Sequence, residues 1–397
     1  MTIYLDHAAS APVRAVARDA WLAASAIAGN ASSVHGAGQA ARRLLEESRE
    51  AIAAVVDCDP IEVVLTSGGT ESVNLALKGL WWARPAGAEA IVLPDGEHHA
   101  TLDTAAWLQT QGARIRAVPL DGVGRIDPNG FAAACADDGE RPAALAAALV
   151  ANNEVGTVQD AAALAAAAAS AGVPLHLDAV GALGHLPVGF ARWRGDAHGA
   201  AGLVALSLSG HKVGAPVGTG ALVVSRHAAL APLLHGGGQQ RALRSGTPDV
   251  AGAAALAAAL TEAEAERVAI RHGVRMFVVS NGGIRPSENP LVEMVYVAQG
   301  PDEADKWIAD QAGPADVVVT GDIPLAAKCV AAGARVVKHN GEVLTDRNIG
   351  NVLATRDLMA DLRSADPFMK GGGKSFSNAD RSRFSDALDR AVRAAMA

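Results

Sequence analysis

Leu203-Val204-Ala205-Leu206-Ser207-Leu208-Ser209-Gly210-His211-Lys212 runs from an apolar, strand-like segment into a small polar turn that closes on a lysine. A Gly-rich turn and a second apolar run, Gly220-Ala221-Leu222-Val223-Val224, follow it. A lysine flanked by two buried strands is expected to be shielded from water. Desolvation disfavours the ammonium form, lowers the pKa and leaves a usable neutral amine. Such amines form Schiff bases with carbonyl compounds, pyridoxal phosphate (PLP) among them. A buried structural lysine is the alternative, so the reading depends on what surrounds Lys212.

Outward from this stretch, short β-branched or apolar runs alternate with longer alanine- and leucine-rich segments. The strand-like runs are Glu62–Thr66, Ala90–Leu93, Arg114–Val118, Val173–Leu177, Leu203–Leu208 and Ala221–Val224. This alternation predicts an α/β domain with a largely parallel sheet and helices on both faces. Ligands of such sheets sit beyond the carboxyl ends of the strands, so polar residues just after strand runs are the ones to weigh. A second α/β pattern follows the helical stretch Val250–Arg267, with strand candidates Val274–Ser280, Leu291–Val297, Asp316–Thr320 and Ala334–Lys338. It ends in the Gly-rich loop Lys370–Lys374 and the helix-like Asn378–Ala395. No Pro/Ser-rich linker separates the halves, so the junction is expected inside a helix.

Composition narrows the function classes. The chain has 397 residues, enough for two or three domains, and a formal charge of −8, which argues against a dedicated nucleic-acid binder. Three cysteines without regular spacing exclude a disulfide framework and a cysteine-only zinc site. The start, Met1–His7, shows no signal-peptide pattern, and no stretch of strongly apolar residues is long enough for a membrane span. A cytoplasmic protein is expected.

Several stretches can complete a site around Lys212. Thr66-Ser67-Gly68-Gly69-Thr70-Glu71-Ser72 joins a strand run to the helical Val73–Trp82, and its glycines, hydroxyls and helix-start amides suit a phosphate; an ordinary N-cap with a glycine turn is the alternative. Asp178 ends a strand run, where a carboxylate can hold a pyridine nitrogen protonated or merely cap a helix. His98 can stack on a flat ring or move a proton, or be structural. Asn153, in Asn152–Gly156, can reach a phenolic oxygen, or belong to a plain turn. His235–Arg241 and Arg244–Thr247 are Gly-rich and cationic, again suited to phosphate.

In their order these segments resemble the cysteine desulfurases, class V aminotransferases of the fold-type I PLP enzymes. The resemblance covers residues 1 to about 260, through Tyr4–Ala9, Gly29–His35, Thr66–Asn74, Glu97-His98, Asn152–Gln159, Leu177–Ala179, Ser209–Lys212 and Gly236–Thr247. It implies a PLP fold-type I large domain with a mainly parallel sheet, and Lys212 as the cofactor lysine. It further implies Asp178 on the pyridine nitrogen and His98 stacked on the ring and moving protons. Gly69, Thr70, Ser209 and His211 would lie at the phosphate, Asn153 near the substrate, and Thr247 at the phosphate site of a neighbouring subunit in a homodimer. L-cysteine as substrate, a sulfur-acceptor protein and a place in iron–sulfur cluster biogenesis follow from the same resemblance. Two departures stand out. Gly181 replaces the glutamine usual three residues after the cofactor aspartate, and neither the persulfide cysteine nor the carboxylate-clamping arginine of the family is found. Cys58 and Cys135 precede the position expected for the persulfide cysteine and read as small residues near a helix or loop, and Cys329, in a helical pattern, reads as buried and inert.

Residues 263–397 resemble something else, the YaiI/YqxD family, a small α/β group related to PIN-like nuclease domains. The similarity runs through His272–Val274, Val279–Asn281, Gly300–Asp305, Val319–Ala326, Thr355–Met359 and Asp380–Phe384, without the family's opening Asp-x-Asp-Ala-Cys-Pro strand. PIN-like chemistry uses convergent carboxylates on Mg²⁺ or Mn²⁺; Asp302, Asp305 and Asp322 are the weak candidates, helix caps and solvated acids the alternative. The reading is thus a PLP-dependent desulfurase-like domain (1–260) fused to a YaiI/YqxD-like domain (263–397). A metal-dependent nuclease activity in the second half, or an inactive PLP-binding fusion, is the other outcome.

Overall fold

The computed structural model describes residues 4, 6–136, 142–280, 289–298, 300, 302–355 and 383–397. The expected strands form where β-branched and apolar residues cluster. They are β1 (Val63–Thr66), β2 (Ala90–Pro94), β3 (Arg114–Val118), β4 (Ala143–Leu149), β5 (Pro174–Asp178), β6 (Gly202–Ser209) and β7 (Gly220–Val224). They make one seven-stranded sheet in the order β1-β7-β6-β5-β4-β2-β3. The run from β3 to β6 is parallel, and β7 pairs antiparallel with both β6 and β1. The parallel part comes from strand–helix–strand crossovers, whereas β7 follows β6 closely enough to turn back beside it.

Six of the seven strands match the sequence runs. The seventh, β4, is Ala143-Ala144-Leu145-Ala146-Ala147-Ala148-Leu149, an alanine-rich stretch not among the expected strands. Alanine is a weak strand former, but six of these seven residues are buried between β2 and β5, where burial on both faces overrides propensity.

Helices cover both faces. On one side Leu75, Leu77 and Trp81 of α3 (Gly69–Trp82) and Leu108 of α4 (His99–Thr110) pack on Leu145, Val204 and Leu222. On the other, Ile52 and Val56 of α2 (Gly36–Val56), Phe131 of α5 (Pro128–Cys135), Leu164 of α6 (Ala161–Ser170) and Phe190 of α7 (Phe190–Arg194) pack on Leu175 and Leu177. α1 (Ala15–Ser25) lies along α8 (Val250–His272), which starts on an Asp249 side chain accepting from the Gly252 amide at 2.8 Å. The helix is longer than the expected Val250–Arg267 and stops at Gly273, whose φ of +64° suits the left-handed cap. Arg14 ties the start of α1 to α8 by pairing with Glu262 at 2.9 Å and Glu266 at 3.1 Å.

The second half continues from α8. β8 (Met276–Ser280) pairs parallel with β9 (Val292–Tyr296). A separate small sheet, β10-β11-β12 (Val317–Val319, Arg335–Val337, Val343–Leu344), packs with α9 (Glu303–Gln311) and α10 (Ile323–Ala331) around Leu325, Cys329 and Val336. The last helix, α11 (Arg383–Met396), turns back onto the first half. Phe384, Ala387, Leu388, Ala391 and Val392 join the same core as Ile52, Leu256 and Leu260. Beside them the buried Asp389 accepts from His272 Nε2 at 2.7 Å and from Arg271 at 3.2 Å, and also pairs with Arg393. Among the described residues no helix is long and apolar enough to cross a membrane. The Lys370–Lys374 loop and residues Arg356–Met359 of the second resemblance lie outside the described residues.

Candidate active site

The residues singled out around Lys212 converge on the carboxyl ends of the parallel strands. β6 ends at Ser209, and a single 3-10 turn, Gly210–Lys212, carries His211 and Lys212. Here the expectation needs correction. Lys212 is not sandwiched between β6 and β7 but stands on the turn beyond β6, half-buried, because the backbone leaves the sheet before reaching it. Its Nζ donates to the carbonyl oxygens of Ala8 and Ala9, the latter at 3.2 Å. Partial burial still pushes the ammonium pKa down, against the pull of Asp6 and Asp178.

The segment that holds Lys212 has no side-chain signature, and sequence reasoning gave it no role. Residues 8–14 run along the turn. The Ala11 amide donates to the His211 carbonyl at 2.8 Å, Ser10 Oγ lies 3.4 Å from His211 Nδ1, and the Arg14 amide donates to Gly214 at 2.8 Å. Gly214, at φ +82°, allows this approach; a Cβ there would lie 2.8 Å from the Pro12 carbonyl oxygen.

Asp178, the last residue of β5, is buried and accepts from the Val180 amide at 2.9 Å. Burial raises its pKa to about 6, with the Val180 amide and Lys212 opposing. His98 caps α4: its Nδ1 accepts from the Ala100 amide at 3.0 Å, which leaves the proton of the neutral ring on Nε2. Burial, then Lys212 and His99, lower its pKa, so the neutral ring dominates at pH 7.

On the other flank, Gly68 and Gly69 open α3 directly after β1. Gly68 has φ +147°, a conformation that side chains rarely adopt, and a Cβ on Gly69 would sit 2.7 Å from Val180 Cγ2. Thr70 is exposed in the first turn of this helix. Ser209 Oγ is buried without a hydrogen-bond partner, an atom in want of an acceptor or donor. Glu71 braces the edge of this cradle. Burial pushes its carboxyl up, but Arg244 at 2.9 Å and the Ser67 amide at 2.7 Å outweigh that and hold it low.

The remaining residues are more scattered. Asn152 uses its side chain to hold the turn, accepting from Glu154 and Val155 and donating to Gly96, while Asn153 is exposed and donates to Glu154. Thr247 is exposed in the loop leading into α8. The cations of the Gly-rich 236–247 stretch serve the chain itself: Arg244 pairs with Glu71, and Arg241 donates to the Val224 carbonyl. Gln240 grips β1, accepting from the Leu65 amide at 2.7 Å and donating to its carbonyl at 3.0 Å. A side chain at Gly181 would begin 3.1 Å from the Ala151 carbonyl oxygen.

The metal candidates do not assemble in this way. Asp305 is raised by burial and by its neighbours Asp322 and Asp302, so the three carboxylates are near one another. Asp322, however, is the N-cap of α10, accepting from the Leu325 amide at 2.8 Å. Among the described residues no group of three or more His, Cys, Asp or Glu is placed to hold a metal ion. The three cysteines are buried and none is in a disulfide.

The residues present fit PLP. An unpartnered buried hydroxyl and a helix start with a glycine cradle suit a phosphate, and a buried carboxylate and a lysine of lowered pKa lie at the same end of the sheet. Comparison with known proteins agrees. Residues 3–272 match the family described as Aminotransferase class-V, and residues 255–394 match the one described as Uncharacterized BCR, YaiI/YqxD family. An IscS-like cysteine desulfurase of Mycobacterium tuberculosis is 44% identical over 260 residues, 64% of this chain and 64% of that protein. The chain therefore spans under two thirds of that relative's length. A solved structure titled SspA in complex with cysteine superposes with a TM-score of 0.60 at 30% identity, covering 69% of this chain and 78% of that one. For the second half, a UPF0178 protein of Cereibacter sphaeroides is 75% identical over 134 residues, 34% of this chain and 83% of that protein. The chain belongs to the class-V aminotransferase family and carries a YaiI/YqxD domain from residue 255 onward.

Proposed function

We propose that the protein is a PLP-dependent, cysteine desulfurase-like enzyme whose first half, residues 1–260, binds the cofactor through Lys212 and acts on the amino group of L-cysteine. The carrying observation is the meeting, at one end of the sheet, of the Lys212 amine, the buried Asp178 carboxyl and the unpartnered Ser209 hydroxyl beside the glycine start of α3. PLP, when bound, supplies an electron sink for bonds at the substrate α-carbon. This chain's residues do the rest. Gly69, Thr70, Ser209 and His211 would hold the phosphate, and Asp178 would keep a proton at the ring nitrogen. Asn153 would border the substrate, Lys212 Nζ would move a proton at the substrate α-carbon, and His98 presents its Nε2–H as a donor. Thr247 serves the site of a second copy in a homodimer.

Buried cysteines set the limit on sulfur chemistry. No cysteine of this chain offers an exposed thiolate, so the sulfur passes to an external thiol, such as that of an acceptor protein. Burial pushes the Cys135 thiol to about 12 and raises Cys329 as well. In balance, L-cysteine and R–SH give L-alanine and R–S–SH. The second half, residues 263–397, is proposed as a separate unit braced on the first through α8 and α11.

The purified full chain incubated with PLP and then with L-cysteine and a dithiol reductant tests this reading. Cofactor colour, alanine and sulfide in equal amounts, and loss of all three in Lys212→Ala are expected. A colourless wild-type chain overturns the proposal.

A further inference from the structure

Glu97 is a buried carboxyl to which nothing above gives a role. It lies in the short loop between β2 and α4, immediately before His98, and is 8% exposed. Its Oε1 accepts from the amide of Leu149, the last residue of β4, at 2.8 Å. Its Oε2 is buried and has no hydrogen-bond partner. The same loop is stitched a second time, where Asn152 Nδ2 donates to the Gly96 carbonyl at 2.9 Å. One residue beyond Leu149, the Val150 amide donates to the carbonyl of Asp178 at 2.8 Å. The end of β4 is therefore the shared anchor for the loop carrying His98 and for the strand end carrying Asp178.

We propose that Glu97 is a positioning residue of this site: its carboxyl ties the His98 loop to the end of β4 beside Asp178. The uncharged form is the one the surroundings accept. A carboxylate here would have one buried oxygen without a donor and a second negative group, Asp178, close by. Burial, then Asp178, push the Glu97 pKa up to about 8 against the single Leu149 amide. The charged or titratable groups around it and His98 are Asp178 on β5, His98 on its own loop, His99 and Asp103 on α4, Glu154 in the turn after β4, and Lys212 on the turn after β6, which acts on both Asp178 and His98.

The role bears on catalysis only through the cofactor site proposed above, so the test is made to read without it. Imidazole resonances of His98 are followed by NMR from pH 5 to 9.5 in the cofactor-free full chain and in Glu97→Gln and Glu97→Ala. The wild-type His98 signals are expected to show their own titration and a second inflection near pH 8, where Glu97 ionises. Glu97→Gln keeps an acceptor for the Leu149 amide and carries no charge. It should retain the His98 midpoint and the Nε2–H tautomer while losing the upper inflection. In Glu97→Ala the loop loses one of its two ties, the one next to His98, and the His98 midpoint should rise by about half a pH unit or more toward that of a solvated histidine. A His98 titration in Glu97→Ala that superposes on the wild type overturns the proposal. So does a Gln variant that behaves like the Ala variant, or a wild type without the upper inflection. If the function is wrong instead, the chain stays colourless with PLP while the imidazole titrations still follow this pattern.

Discussion

A single buried hydroxyl separates binding from stability in this site. Ser209 Oγ is enclosed and unpartnered, so its desolvation is not offset within the chain. Ser209→Ala should leave the cofactor-free protein as stable as the wild type or about 1 kcal/mol more stable by urea titration. The same change should weaken PLP binding about tenfold, the cost of one charge-assisted hydrogen bond. Glu97 makes the pH dependence of stability legible. Its pKa is raised from 4.5 to about 8, so between those values the folded chain holds a proton that the unfolded chain has lost. Stability therefore falls as pH rises through that window and levels off above it. Asp178, raised to about 6, adds a fall in the same direction below that pH. Urea midpoints at pH 6.5 and 8.5 should drop for the wild type and drop markedly less for Glu97→Gln; equal drops would rule this account out. At this scale the sequence reveals residues whose chemistry is in the side chain, such as Lys212, Asp178 and His98. It does not reveal the Ala8 and Ala9 carbonyls that hold Lys212, because every residue has a carbonyl.

Among the elements, β1 and the 236–247 loop depend on one another through Gln240. The side-chain amide both accepts and donates at Leu65, which a carboxylate at that position cannot do. Gln240, Arg241 and Ala242 have φ of 52°, 59° and 58°, a left-handed turn that non-glycine residues adopt only under constraint. Gln240→Glu should cost about 1–3 kcal/mol, since it leaves the Leu65 carbonyl unpaired, with the new charge beside Arg49. Gln240→Ala should cost a similar amount; thermal melts of the two variants check both values. Most elements were legible because β-branched runs and helix starts have local signatures. β4 was not, because alanine reads as helix until neighbouring strands enclose it. The parallel order of β2 to β6 followed from the alternation of strand and helix, yet the inward position of β4 is a property of the sheet and not of its own residues.

Across the whole molecule, α8 and α11 make the two halves share one core. Phe384 is fully buried there, and Asp389 is held by Arg271 and His272 at the end of α8. Phe384→Ala should cost about 3–5 kcal/mol. It should also lower the melting point seen by a probe in the first half, such as PLP colour, as well as one in the second, such as fluorescence of a background in which Trp307 is the sole tryptophan. A shift confined to the second half would show that the halves unfold separately. The sequence placed the junction inside a helix but gave no sign that the last helix returns to α2 and α8, since amphipathic pattern alone does not name the surface it covers.

The amide clamp on β1 has one more effect. β1 is the outer strand of the main sheet, and an outer strand offers unpaired backbone groups to any passing chain. At Leu65 both of those groups are already taken, by a side chain standing in for the next strand. On the opposite border, β3 presents the exposed Arg114, a charge that discourages another strand from adding there, while Arg116 ties the strand to the end of α5. Gln240 thus guards solubility as well as geometry. Its loss should appear first as strand-to-strand aggregation at high protein concentration, with the site itself still intact.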